Sequence, residues 1–188
     1  MNGLIDSLTR LHDRVFGALE IETQDWFMGL AARFVFAATL LVYFWNSAAT
    51  KLGDGIFGFL TPSSGAYVQI FPKAFEAAGY DSAALAWHYH LIAILGTWAE
   101  FILPALIVIG LFTRLASLAF IGFIAVMTIV DITGHGADAT TIGAWFDGDP
   151  ASLIMDQRAF WIFVLLVLVI KGGGKLSVDF LLGRSRGY

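Results

Sequence analysis

Glu100 lies near the middle of a run, residues 87–112, that is otherwise almost entirely apolar. A run of that length is long enough to cross a bilayer as a helix. A carboxylate at that depth is costly unless it is paired, protonated or used, so an acidic residue inside an apolar span indicates a functional site. Glu100 is therefore the leading candidate for chemistry, and the expected chemistry is proton exchange.

Three polar neighbours of Glu100 lie on the same predicted helix. At 100° per residue, Tyr89 and Glu100 fall on one narrow face, and His90 and Thr97 lie beside that face. Polar groups inside a membrane need partners, and small residues on the same face allow close helix packing. We expect Tyr89, His90 and Thr97 to line a polar pocket around Glu100.

Arg33 is the basic residue inside the first apolar run, seven residues after Trp26. Its long side chain can pair with Glu100 near the midplane or extend back to the nearer interface. A paired Arg33 would hold the charge state of Glu100. An unpaired Glu100 would be protonated at neutral pH, which suits proton transfer to a quinone or along a relay.

The histidines fall at the edges of the apolar runs. Asp131 and His135 are four residues apart and can share a helix face, so a metal site built from His90, Asp131 and His135 is geometrically possible. Histidines at a membrane interface are more often plain hydrogen-bonding groups, and we do not expect a metal. The absence of cysteine excludes thiol and iron–sulfur chemistry, and the lack of a histidine at mid-membrane depth argues against a central haem.

Composition predicts an integral membrane protein, because 58% of the residues are hydrophobic and only 14% are charged. The sequence has no basic patch that would indicate a nucleic-acid partner.

The last predicted span is extended back to Pro150, with Asp149 as its N-cap, because the uncharged part of this span alone is too short to cross a bilayer. The predicted fold is all-α, a four-transmembrane-helix bundle with spans at about 26–45, 87–112, 115–132 and 150–171.

Residues 1–25 precede the first span and carry leucine and valine at helical spacing: Leu4, Leu8, Leu11, Val15 and Leu19. This pattern predicts an amphipathic helix lying on the membrane interface. Seven basic residues fall on the side that carries the termini and three on the other, which predicts cytoplasmic termini. The expected organisation is the surface helix, a membrane domain at 26–182 and a cytoplasmic tail at 183–188, in a bacterial inner membrane.

Several short motifs recur in a fixed order around these four spans. Over residues 26–182 the chain resembles the DoxX family of small four-helix integral membrane proteins. The matching features are Arg33 in span one, Lys51-Leu52 just beyond it, Glu100 in span two, Gly-Leu-Phe-Thr-Arg at 110–114, His135 after span three, and Gly-Gly-Gly-Lys-Leu-Ser-Val-Asp at 172–179.

The resemblance implies a quinone-linked redox or accessory subunit of a membrane oxidoreductase system, working with partner subunits or as a homo-oligomer. In that role Glu100 would exchange a proton, Arg33 would hold its charge state, and His135 or His90 would bond a quinone oxygen. A proton-coupled small-solute transporter would use the same buried carboxylate. A membrane scaffold or assembly factor would use Arg33 and Glu100 only to hold helices together.

Overall fold

The computed structural model describes residues 2–184, and within them the chain is helical, joined by turns and one isolated bridge between Leu52 and Pro62. The all-α class is therefore confirmed. The helices are α1 (Asn2–Thr23), α2 (Phe27–Ala49), α3 (Ser64–Ile70), α4 (Pro72–Ala77), α5 (Trp87–Ile109), α6 (Thr113–Gly134), α7 (Ala139–Ile142), α8 (Met155–Lys171) and α9 (Val178–Arg184).

Among the described residues three helices, α2, α5 and α6, are long and apolar enough to cross a membrane. This confirms the expectation of an integral membrane protein. The helix α2 runs four residues past the predicted end at Trp45, whereas α5 stops at Ile109 because Gly110 turns left-handed there, at φ 74°. The 17 residues of α8 are fewer than the ~20 that a full span requires, so a fourth span stays a prediction.

The predicted start of the last helix is wrong. Asp149 does not cap a helix; its carboxylate accepts a hydrogen bond from the amide of Ala151 and forms a local turn. The helix α8 begins at Met155, where Ser152 and Asp156 exchange bonds between side chain and backbone amide at 3.0 and 3.1 Å. The sequence thus holds two competing start signals, and the reciprocal pair prevails because it satisfies two amides at once.

Aromatic side chains from α2, α6 and α8 form the core of the bundle. Phe44 is buried between Phe120 of α6, with ring centroids 4.7 Å apart, and Trp161 of α8, at 5.9 Å. Edge-to-face packing of this kind fills the space between helices at favourable ring geometry. Two π-helical turns interrupt the long helices, at Ala37–Leu41 in α2 and at Val130–Gly134 in α6.

One end of the bundle carries α1, the α5–α6 turn and α9, and is called here the terminal end. Asp179 of α9 caps α6: its carboxylate accepts bonds from the amides of Phe112 and Thr113 and from the Thr113 hydroxyl, at 2.7–2.8 Å. Its own amide donates to the carbonyl of Gly110. The Gly–Asp segment after α8 and the α5–α6 turn therefore form one hydrogen-bonded unit.

Replacing Asp179 with alanine is expected to lower the free energy of unfolding by about 2 kcal/mol, because three hydrogen bonds to a charged cap are lost together. The measurement is unfolding in mixed micelles of detergent and dodecyl sulfate. Asp138→Ala is the control, since Asp138 caps only the four-residue helix α7. An Asp179→Ala protein as stable as the control would contradict the assigned role.

The opposite end, called here the loop end, carries the short helices α3, α4 and α7. Tyr67 and Phe75 lie on two short helices, α3 and α4, which are separated at Phe71, directly before Pro72. Pro72 packs against Gly134, where an added Cβ would lie 2.9 Å from the proline ring. The loop between α2 and α5 is thereby held against the end of α6.

The described side chains of α1 are exposed along most of the helix, including Leu8, Leu11, Val15 and Leu19. The predicted helix is present; its placement on a membrane interface stays a prediction. Leu4, the first residue of the apolar stripe, lies in this helix, but its side chain is not among those described. Residues 185–188 of the predicted tail lie outside the described residues.

Candidate functional site

A cavity of about 500 Å³ opens between α5 and α6 in the half of the bundle nearer the loop end. Small residues, Gly96 and Ala99 on α5 and Ala119 and Gly122 on α6, line it. Because the side chains on both helices are small here, they leave a space that larger side chains would fill. Volumes of 300–1,000 Å³ are typical of small-molecule sites, so the cavity is a candidate ligand site.

Glu100 lines this cavity and is paired with Lys51. The Lys51 ammonium lies 2.8 Å from Glu100 Oε2, and the two residues are only 3% and 5% exposed. The ammonium also donates to the carbonyl and the hydroxyl of Ser47, at 3.1 and 2.7 Å. All three donors of the lysine are thus used, as a buried charge requires.

Local geometry of α2 explains why Lys51 reaches Glu100. Tyr43 and Ser47 lie on one face of α2, Lys51 follows at the same spacing of four in the turn after the helix, and all three line the cavity. Helical side chains point back toward the N-terminus, which carries the lysine ammonium one turn toward the bilayer centre. The residue at the end of the span therefore places its charge inside the bundle.

A second ion pair lies at the loop end of the same cavity. Asp131, which lines the cavity, pairs with Arg158 of α8, whose guanidinium also donates to the hydroxyl of Thr128 at 2.6 Å. Arg158 is 8% exposed, and its Nε is buried with no hydrogen-bond partner. The cavity is therefore bordered by one ion pair in its wall and another at its loop end.

His135 lines the cavity as expected of a site residue, and it also holds the loop in place. Its Nε2 lies 3.1 Å from the carbonyl oxygen of Gln69 on α3. A carbonyl only accepts, so Nε2 carries the proton and Nδ1 is left to accept a hydrogen bond.

Tyr89, His90 and Thr97 do not line the cavity. Tyr89 packs edge-on against Phe71, with ring centroids 4.9 Å apart, and the Thr97 hydroxyl donates to the carbonyl of Ala93. The helices α3 and α4 cover this face of α5, so the polar residues on it are packed against protein.

His90 shares a short hydrogen bond, 2.6 Å, with the hydroxyl of Tyr67 on α3. Burial raises the pKa of the Tyr67 hydroxyl above its ordinary value, which keeps the phenol neutral. The Tyr67–His90 pair joins the loop to α5, apart from the residues that line the cavity.

Arg33 does not contact Glu100, so the pairing alternative is wrong. Its guanidinium donates to carbonyls at the terminal end: to Ile107 and Val108 at the end of α5, and to Gly173 and Leu176 after α8. Arg33 is only 8% exposed, so it does not extend to water either. Its partners are thus backbone carbonyls at the end of α5 and in the segment between α8 and α9.

The three candidate metal ligands have separate partners. His90 bonds Tyr67, Asp131 pairs with Arg158, and His135 bonds the Gln69 carbonyl. Within residues 2–184 no group of three or more His, Cys, Asp or Glu side chains is placed to hold a metal ion.

Sequence reasoning identified three of the residues that line the cavity, Glu100, Asp131 and His135, and missed Tyr43, Ser47 and the role of Lys51 as the partner of Glu100. The signal for the missed residues was their spacing of four at the loop end of α2.

Comparison of the chain with protein-family models, curated proteins and solved structures gave no match.

Proposed function

We propose that this protein is a DoxX-like integral membrane protein that binds a quinone-like molecule in the cavity between α5 and α6, as a redox or accessory subunit of a membrane oxidoreductase system. The observation that carries the proposal is a cavity of ligand size with a buried Lys51–Glu100 pair in its wall. A protein in which Glu100 only joined helices would not need that space.

The lining of the cavity fits a molecule with a polar head and an apolar body. Polar groups come from the Lys51–Glu100 pair, His135 and Gln69, while Ile92 and Leu95 of α5 are apolar and exposed at its edge. Exposed apolar residues on a spanning helix face lipid, so an apolar ligand can enter from the bilayer.

Each polar group has a distinct role toward such a ligand. The Glu100 carboxylate can accept a proton or a hydrogen bond from the ligand, and the adjacent Lys51 ammonium holds the charge of the carboxylate, so the pair can take up or release a proton beside the ligand. Lys51 takes the part first assigned to Arg33, that of holding the charge of Glu100. His135 Nδ1 can accept a hydrogen bond from a hydroxyl. A bound quinone supplies the two-electron chemistry, and partner subunits would exchange the electrons.

Contacts among the motif residues support the DoxX resemblance. Arg33, the 110–114 turn and the 172–179 segment meet at the terminal end, where Arg33 bonds Gly173 and Asp179 bonds Thr113. Lys51 and Glu100 form the second group. Residues that were matched only by their order along the chain are thus in direct contact.

The placement in the membrane is part of the proposal. α8 acts as the fourth span with its 17 helical residues extended by the preceding turn, and α1 lies on the interface through its exposed leucines. The basic residues of the terminal end then face the cytoplasm of a bacterial cell, and the loop end faces outward.

The test is co-extraction of quinone. The protein purified from membranes in mild detergent is expected to retain quinone, measured by organic extraction and absorbance, and Glu100→Gln is expected to lose at least 90% of it, at about 1.4 kcal/mol of lost binding free energy. Thr97→Ala is the matched control, since Thr97 is buried on the same helix outside the cavity lining.

Two outcomes would count against the proposal. If the wild-type protein carries no quinone and binds none when it is added, the quinone assignment fails. If Glu100→Gln and Thr97→Ala retain equal amounts, the cavity is not the site. Solute uptake in proteoliposomes that is abolished by Glu100→Gln would instead favour the proton-coupled transporter.

A further inference from the structure

A second and larger concave surface lies at the terminal end, away from the proposed quinone cavity. It has a volume of about 880 Å³ and lies between the start of α6 and the glycine turn after α8. We call it the terminal-end groove. Its charged lining residues are Asp25, Arg114, Lys171, Lys175 and Asp179.

The carboxylates of the groove already have hydrogen-bonding or ion-pair partners. Asp179 accepts three hydrogen bonds at the start of α6, and Asp25 pairs with Lys175 at 3.2 Å. Within the described part of the chain, Arg114 and Lys171 form neither an ion pair nor a side-chain hydrogen bond. The three basic and two acidic lining residues sum to one net positive charge, and Arg114 and Lys171 are the two cations free to meet a ligand, so the groove attracts an anion.

Glycine brings the two cations to one surface. Gly172 has φ +75°, and a Cβ placed on it would lie 3.4 Å from Nε of Arg114. The guanidinium thus lies directly against the backbone that follows Lys171, and a larger residue at 172 would be strained and would contact it. The start of α6 itself is not available to an anion, because Asp179 occupies it.

Apolar residues adjoin the cations in the groove. Phe112 and Leu115 line the groove and are 63% and 67% exposed, at the end of a helix long enough to cross a membrane. A soluble anion would gain nothing from these side chains, whereas the acyl chains of a lipid would cover them. Basic pockets at the ends of spanning helices are suited to anionic headgroups.

We propose that the terminal-end groove binds the phosphate-bearing headgroup of an anionic phospholipid through Arg114 and Lys171. The phosphate receives the guanidinium and the ammonium, and the acyl chains lie along Phe112 and Leu115. This site is independent of the quinone cavity and does not require the quinone proposal to hold.

The test measures lipid binding to the full chain by native mass spectrometry, with phosphatidylglycerol and phosphatidylcholine of identical acyl chains as probes. The wild-type protein is expected to prefer phosphatidylglycerol. In Arg114→Gln/Lys171→Gln the preference is expected to fall about 25-fold, from about fivefold for each basic residue near an anionic headgroup. Arg10→Gln/Lys73→Gln removes the same charge elsewhere and is expected to retain the preference.

Equal affinity of the wild-type protein for the two lipids would overturn the proposal, as would a loss in the control variant matching that in the groove variant. Competition by millimolar inorganic phosphate without any lipid preference would identify a soluble anion and also overturn it. Arg114 and Lys171 are exposed, so the variants are expected to fold, which near-ultraviolet circular dichroism checks. Each single variant, with an expected fivefold loss, provides the same test if the double variant is unstable.

Discussion

Replacing Lys51 with methionine is expected to destabilise the folded protein by about 3–5 kcal/mol, because Glu100 is left buried without its partner charge. The lysine and its partner are 3% and 5% exposed, so water cannot replace the lost contact. The measurement is the free energy of unfolding in mixed micelles. Lys73→Met is the matched control, since Lys73 is exposed and forms no salt bridge in the described part of the chain; it is expected to change stability by less than about 0.5 kcal/mol.

Removing both charges separates structural from chemical roles. Lys51→Met/Glu100→Leu is expected to recover most of the stability lost in Lys51→Met, because an apolar pair of similar size can replace a buried ion pair. Under the quinone proposal this stable double variant still lacks bound quinone. A double variant that is stable and also retains quinone would leave the pair with a scaffold role only, and a Lys51→Met protein as stable as Lys73→Met would show that Glu100 does not depend on the pair.

Arg33→Met is expected to cost about 3–5 kcal/mol, because carbonyls at two separate chain segments lose their donor together. Arg33→Lys is expected to recover only part of this, since one ammonium cannot span the groups that the planar guanidinium reaches at 2.5–3.2 Å. Unfolding in mixed micelles again gives the measurement, with Lys73→Gln as the control.

Quinone retention distinguishes Arg33 from Lys51. At temperatures below unfolding, Arg33→Lys is expected to retain quinone at the wild-type level, because Arg33 lies at the terminal end and not at the cavity. If it lost quinone as Glu100→Gln is expected to do, Arg33 would control the charge of Glu100 after all, and the separation of the two groups would be wrong.

The burial of Glu100 could be predicted because it depends on a local property, an acid within a long apolar run. Its partner could not be assigned the same way. Lys51 follows α2 at the loop end, and its backbone position suggests solvent, but its side chain turns back by one helical turn into the bundle. The signal for this partner in the sequence was the spacing of four between Tyr43, Ser47 and Lys51.

The role of Arg33 was beyond sequence reasoning for a different reason. Its partners are backbone carbonyls, which every residue has, so no side-chain pattern marks them. The helix projection of Tyr89 and His90 gave the correct face of α5 but the wrong neighbours. The short helices α3 and α4, from the loop directly before α5, pack on that face and decide what those side chains contact.

The π-helical turn Ala37–Leu41 of α2 separates Arg33 from Tyr43 and Ser47 on the same helix and from Lys51 in the turn that follows it. Such a turn holds one residue more than an α-helical turn, so it rotates all that follows by about 100°. The direction in which Lys51 points around the helix axis, relative to Arg33, therefore depends on this one additional residue. Deleting one residue from this segment would turn Lys51 away from Glu100 and leave both charged residues unchanged. The rotation of α2 about its axis is therefore as necessary to the site as its side chains.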